Sequence, residues 1–277
     1  MTPPRAVVTE ASSGIGLQFC RVLAEQGYAV CCVARREERL QTLVTSLPGK
    51  GHDYLVADLA QPAGVEQVAA RFARDHVQLL INNAGFSALE PFADSPLALQ
   101  EKILDVNCSA LVALAHAFLQ HARSGDAIIN LASVVAYLPT PAQPMYSASK
   151  AFIASFSECL WGEQRHRGIY VMGLCPGMTE SELISTATGG ESNGENLPSA
   201  VVQTAEAVVS EAMRALGKRK KAIVISGGVN RWMCQMPRFL TRHRLIKILA
   251  VMGDPERALQ DESGRYPVGS KATAMRA

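Results

Sequence analysis

The sequence predicts a doubly wound α/β fold, with a seven-stranded, mostly parallel sheet and helices on both faces. Three observations carry that prediction. Short, uninterrupted apolar runs recur along the chain, as expected for strands buried on both faces. Helical periodicities separate those runs, as the crossovers of a parallel sheet require. Of the 277 residues, 48% are hydrophobic and 19% charged, a mix that fills a sizeable core and is too apolar for a disordered chain.

The strand runs are Ala6–Thr9, Ala29–Ala34, Tyr54–Ala57, Leu79–Asn82, Ala127–Ala132, Ile169–Cys175 and Ala222–Ser226. Between the first two, Ile15, Phe19, Val22, Leu23 and Gln26 fall at helical spacing, and Gly27 stops the helix. A longer helical pattern covers Leu97 to His121. Another runs from Tyr146 to Arg167 and ends in the basic tract Arg165-His166-Arg167 before Gly168, which suits a helix C-terminus. Residues 1–228 read as the α/β domain. Residues 229–277 read as a C-terminal extension, either part of that domain or a surface or oligomer element.

Two stretches break the alternation. Thr186–Pro198 is polar and Gly/Asn-rich, so a mobile loop is expected. Arg231–Met252 mixes Arg231, Arg238, Arg242, Arg244 and Lys247 with Trp232, Met236, Phe239, Leu240, Leu245, Ile246 and Leu249. The favoured reading is a helix that packs its apolar side on the domain or on a second subunit. The alternative is peripheral contact with an anionic membrane surface. The chain after Gly253 reads as frayed.

Composition excludes several function classes. A net charge of +2 argues against nucleic-acid binding. Seven cysteines without a CxxC pair read as reduced thiols, hence a cytoplasmic protein. Six scattered histidines lack metal-ligand spacing. The N-terminal residues enter a strand at Arg5 without a signal-peptide pattern, and no stretch reaches the roughly 18 uninterrupted apolar residues of a membrane span.

The chemistry-bearing residues follow the strands. Ser12, Ser13, Gly14, Ile15 and Gly16 lie between the first strand and the first helix, where glycines and free helix N–H groups can cradle a pyrophosphate. Glu10 stands where such loops favour glycine. At the end of the second strand, Ala34-Arg35-Arg36 offers no carboxylate for a ribose 2′-OH but two guanidiniums for a 2′-phosphate. A solvated helix start, with Glu37, Glu38 and Arg39 following, is the plainer reading of the same charges. Tyr146 and Lys150 sit four residues apart on one helical face, where an ammonium can stabilise a phenolate and lower its pKa. Ser133 follows the fifth strand. Asn107 sits mid-helix, an unfavourable place for Asn without a partner.

Together these motifs resemble, in order and spacing, the short-chain dehydrogenase/reductase family from Arg5 to Gly228, with a Rossmann-like fold. The resemblance implies a catalytic set of Asn107, Ser133, Tyr146 and Lys150. Tyr146 would give a proton to the substrate carbonyl oxygen and Ser133 would bond the same oxygen. Lys150 would hold the nicotinamide ribose and tune Tyr146, and Asn107 would order a water relay. It further implies an adenine contact at Asp58 and Leu59, a cofactor wall at Asn83, Ala84 and Gly85, and a turn under the nicotinamide at Pro176 and Gly177. A cofactor-binding hydroxyl is implied at Ser181 or Thr179. Thr9, Gly14 and Gly16 match the family's loop pattern and Glu10 departs from it. The implied cofactor is NADPH/NADP, with NAD less favoured. The implied substrate is a small-molecule carbonyl or alcohol, read as hydrophobic from Leu138, Met145, Met178, Leu183 and Ile184, which could equally be packing residues. A homodimer or homotetramer is expected. A binding or regulatory protein with a damaged cofactor loop is the alternative that Glu10 raises.

Overall fold

Strand β1 (Arg5–Thr9) sets the pattern for the central strands of the sheet. Ala6 and Val8 face one layer of the core and Val7 the other, and all three are fully buried. The neighbouring strand β2 (Ala29–Ala34) does the same: Val30, Cys32 and Ala34 go one way, Cys31 and Val33 the other. A strand covered on both faces has no polar side to alternate with, which is why these runs are continuous. The computed structural model describes residues 2–88, 92–141, 143–179 and 202–253. The expected loop at Thr186–Pro198, the tail after Gly253, and Ser181, Leu183 and Ile184 lie outside the described residues.

The remaining strands are β3 (Asp53–Val56), β4 (Leu79–Asn82), β5 (Ala127–Leu131), β6 (Tyr170–Cys175) and β7 (Ile223–Ile225). They form one seven-stranded sheet in the order β3-β2-β1-β4-β5-β6-β7, with every pairing parallel. The order reverses between β1 and β4, so a crevice opens outside their carboxyl ends. Helices α1 (Gly14–Glu25), α2 (Glu37–Ser46) and α7 (Ala205–Lys218) cover one face. Helices α3 (Pro62–Arg74) and α5 (Leu111–His121) cover the other, where Phe72 and Phe118 meet edge to face at 5.7 Å.

The helical run over 97–121 is not one uniform helix. It consists of α4 (Leu97–Leu104), a π-helical turn at Asp105–Ala110, and α5. The wide turn includes Asn107, a residue of low helix propensity. The run is apolar and long enough to cross a membrane by composition, yet 44% of its most apolar stretch is buried within the fold. Helix α6 (Pro144–Gln164) starts two residues before Tyr146, with Pro144 in its first turn. A 3-10 turn at Arg165–Arg167 closes it, and Gly168 takes a left-handed φ of 70°. The C-terminal extension is broken rather than continuous: α8 (Gly228–Met233), a 3-10 turn (Met236–Arg238) and α9 (Arg242–Gly253).

Candidate functional site

The site is built at the carboxyl ends of β1 to β6. Its floor is tied by Thr9, whose hydroxyl accepts the N–H groups of Asn83 and Ala84, each at 2.9 Å, and donates to the Ile81 carbonyl at 3.3 Å. Asn83 returns the contact by donating to the Thr9 carbonyl at 3.0 Å. Thr9 and Asn83 are both buried, so their side chains join the β1 and β4 loops rather than face the crevice. Gly16 is fixed by packing: a Cβ there would overlap the Glu10 carbonyl and crowd the Asn83 amide. Ser13 takes the N-cap position of α1 without a side-chain cap bond, so its hydroxyl leaves the first-turn N–H groups to a ligand.

A cavity of about 220 Å³ lies over this floor. Its walls include Ser12, Arg35, Arg36, Asp58 and Leu59, all anticipated from the sequence. Arg36 donates to the Ser12 hydroxyl at 3.2 Å, linking the loop after β1 to the end of β2. Lys102 and Val106 form a further wall. Sequence reading missed both. Their four-residue spacing on the 97–121 run was the available signal, but which side of that run faces the crevice is set by its packing in the fold.

Next to Gly85 of the cavity lining, Ser133, Tyr146, Lys150 and Asn107 come together. Tyr146 and Ser133 are close enough for the serine side chain to act on the phenol, and the Lys150 ammonium lies 5.5 Å from the centre of the Tyr146 ring. Lys150 is 3% exposed and donates to the Leu131 carbonyl at 2.7 Å. The Asn107 side chain is fully engaged. Its oxygen accepts the Phe86 N–H at 3.0 Å, and its amide donates to the Phe86 carbonyl at 3.1 Å and to the Ser149 hydroxyl at 3.0 Å. Ser149 in turn donates to the Tyr146 carbonyl at 2.7 Å, so Asn107 braces the Tyr146 turn of α6. A Cβ on Gly85 would stand 3.1 Å from the Asn107 oxygen and 3.2 Å from the Lys150 nitrogen, which explains glycine at that wall.

Two expectations need correction. Lys150 does not lower the Tyr146 pKa in this state. Burial pushes the phenol up to about 12, the Ser133 side chain opposes that shift, and the Glu10 charge adds to it. Burial likewise lowers the Lys150 ammonium to about 8, against the pull of Glu10. Both groups share one desolvated cleft, and the ammonium is committed to a carbonyl. Leu138 also departs from expectation as a residue of the cleft mouth. It is buried in a cluster with Cys234 and Leu245 and serves packing. Met178, by contrast, is exposed.

Glu10 is the unusual element. It holds a left-handed backbone with φ 53°, a region that favours glycine. Its carboxylate turns inward over the loop and accepts the Gly85 N–H at 2.9 Å. Burial raises its pKa, while that hydrogen bond and the charges of Lys150, Arg35 and Arg36 work against the rise. The side chain therefore spans the crevice between the arginine end and the Tyr146 end. Pro176 and Gly177 close the far side, where the Pro176 carbonyl accepts the Val134 N–H at 3.0 Å and Asn230 of α8 lies against Gly177. Thr179 is buried and donates to the Gly177 carbonyl at 3.2 Å.

A parallel sheet with a reversal point, a loop of free N–H groups and a Tyr–Lys–Ser cluster at one crevice define a nucleotide-dependent oxidoreductase of the doubly wound class. The short chain dehydrogenase profile matches residues 4–191. The chain belongs to that family. It is 34% identical over 192 residues to sulfoacetaldehyde reductase 2 of Chromohalobacter salexigens, covering 67% of this chain and 76% of that protein. It is 37% identical over 186 residues to a short chain dehydrogenase of Pseudocercospora fijiensis, covering 64% of this chain but only 60% of that relative's length. A short-chain dehydrogenase from Sphingobium yanoikuyae, solved in complex with NADPH, superposes with a TM-score of 0.76 at 28% identity, covering 99% of this chain and 100% of that one.

Proposed function

We propose that the protein is an NADPH-dependent carbonyl reductase or alcohol dehydrogenase acting on a hydrophobic ketone or secondary alcohol. The observation that carries this reading is the convergence of Ser133, Tyr146 and Lys150 beside Gly85, which lines a cavity that also carries Arg35 and Arg36. The residues fit a dinucleotide. The uncapped N-terminus of α1 suits the pyrophosphate, Asp58 and Leu59 line the adenine end, and the two guanidiniums suit a 2′-phosphate. Cofactor contacts are assigned to Ser12, Ser13, Gly14, Ile15, Gly16, Arg35, Arg36, Asp58, Leu59, Ala84, Gly85, Tyr146, Lys150, Pro176, Gly177 and Thr179. Thr9 and Asn83 act by holding the loop. The solved relative's NADPH supports the same choice.

The bound cofactor supplies the hydride. Tyr146 donates its phenolic proton to the carbonyl oxygen, and Ser133 hydrogen-bonds that oxygen as its charge grows. Lys150, 5.5 Å from the centre of the Tyr146 ring, would hold the nicotinamide ribose beside it. Phe152 is exposed on α6 and stacked on Phe156 at 5.8 Å, which supports a homo-oligomer formed through that helix. The test is a ketone panel followed by NADPH absorbance. Turnover of a hydrophobic ketone supports the reading, and no turnover together with no NADPH binding refutes it. Glu10 favours one other reading, a scaffold that binds a partner without chemistry, because its carboxylate already holds the Gly85 N–H inside the crevice.

A further inference from the structure

From Gly227 to Gly253 the chain carries Arg231, Arg238, Arg242, Arg244, Lys247 and His243, and no Asp or Glu. The fold sorts the apolar residues of this segment into two sets. Cys234, Leu240, Leu245 and Leu249 turn inward against Leu138 and Val134. Val229, Trp232, Met236, Phe239 and Ile248 turn outward, with Trp232 67% and Phe239 88% exposed. Val229 and Trp232 lie three residues apart on α8, so that helix presents both on one side. Arg231 is held by Glu211 at 3.1 Å. No carboxylate pairs with Arg238, Arg242, Arg244 or Lys247 among the described residues.

An exposed Trp and an exposed Phe set among unpaired cations need an occupant that takes both kinds of group. A second copy docked about a twofold axis would bring the same cations face to face with no acid between them. An anionic bilayer satisfies both. Aromatic rings settle at headgroup depth, and Arg and Lys reach lipid phosphates while their stems stay apolar. We propose that residues 228–248 form a docking face for an anionic lipid bilayer. The face is fixed to the site by Asn230, which is buried, lies against Gly177 and donates to the Ser226 carbonyl at 2.9 Å. Docking would therefore orient the crevice relative to the membrane surface. The inference does not depend on the redox reading.

The test is co-sedimentation of the full chain with vesicles of phosphatidylcholine alone and of phosphatidylcholine with phosphatidylglycerol, at low and high salt. Binding to the anionic vesicles only, released by salt, is the expected result. Trp232→Ser and Phe239→Ser should each weaken it by about tenfold, the weight of one large apolar side chain leaving water. The paired reversal Arg242→Glu with Arg244→Glu should weaken it at least as much. All these side chains are exposed, and thermal melting of each variant confirms that the fold persists. Trp emission should shift to the blue on vesicle addition in the parent protein and not in Trp232→Phe. Failure to bind anionic vesicles at low salt would overturn the proposal. So would unchanged binding by the two Ser variants, or a smaller oligomer on gel filtration caused by Phe239→Ser, which would make the face a contact between copies.

Discussion

Replacing Glu10 by glycine separates backbone fit from charge at the mouth of the cofactor crevice. The left-handed φ of 53° costs a non-glycine residue roughly 1–2 kcal/mol, and glycine relieves it. The substitution also removes the hydrogen bond to Gly85, worth about 1 kcal/mol net. Glycine further gains freedom in the unfolded chain, at about 0.5–1 kcal/mol. These terms nearly cancel, so Glu10→Gly should leave the melting temperature almost unchanged. Cofactor affinity is another matter. The carboxylate holds the N–H of Gly85 and sits among Lys150, Arg35 and Arg36, the groups best suited to a phosphorylated ligand. Freeing them should tighten NADPH binding by roughly tenfold, or about 1.4 kcal/mol. The pH dependence gives the sign. A bound anion favours the protonated carboxyl, and the Glu10 pKa is already raised by burial. Affinity in the parent protein should therefore be strongest at low pH and fall as pH rises through a value above the ordinary 4.5. The Gly variant should lose that limb. Glu10→Gln keeps the strained backbone and removes the charge, so it should recover the affinity gain without changing the backbone. The assay is fluorescence titration with NADPH across pH, at low and high salt. Equal affinities with identical pH profiles in all three proteins would refute the argument. Weaker binding by the Gly variant would make Glu10 a ligand contact.

Four further outcomes follow from the same geometry. Arg35→Ala should weaken NADPH binding by about 1.5–3 kcal/mol, the scale of a hydrogen bond to a charge, and leave NADH nearly unaffected; a parent protein that binds NADH more tightly contradicts the 2′-phosphate reading. Tyr146→Phe should cut turnover by about 10²-fold or more while cofactor affinity survives, as read by steady-state kinetics beside a binding titration. Lys150 is lowered to about 8 in the free protein, so NADPH affinity should decline again as pH passes that value. Lys150→Met should abolish this second limb, and its persistence would place the titrating group elsewhere. Gly16→Ala forces a Cβ into the Glu10 carbonyl and the Asn83 amide, so it should lower the melting temperature and lose cofactor binding together, whereas Gly217→Ala, with open space around it, should do neither.

Much of this architecture was legible in the amino-acid order because it is local or periodic. The central strands announce themselves as unbroken apolar runs, and Gly168 marks the end of the α6 run because a left-handed residue was needed there. The Tyr146–Lys150 pair was readable because helical spacing alone puts both on one side. Tertiary structure decided the rest. Thr9 looked like a ligand contact, but the β1–β4 pairing turns its hydroxyl toward Asn83 and Ala84. Lys102 and Val106 became crevice walls only once the 97–121 run had packed on the sheet, which periodicity cannot foresee. In the C-terminal segment, composition gave the cations and the apolar residues, and packing on Leu138 chose which of them face outward. The protonation of the site was decided the same way. Spacing places an ammonium near a phenol, which argues for a lowered pKa. The fold buries both and brings a carboxylate from 136 positions earlier beside them, and desolvation outweighs that pairing. Sequence separation sets which groups can meet along one element. The dielectric they meet in, and the third charge that joins them, exist only once distant strands have closed the cleft.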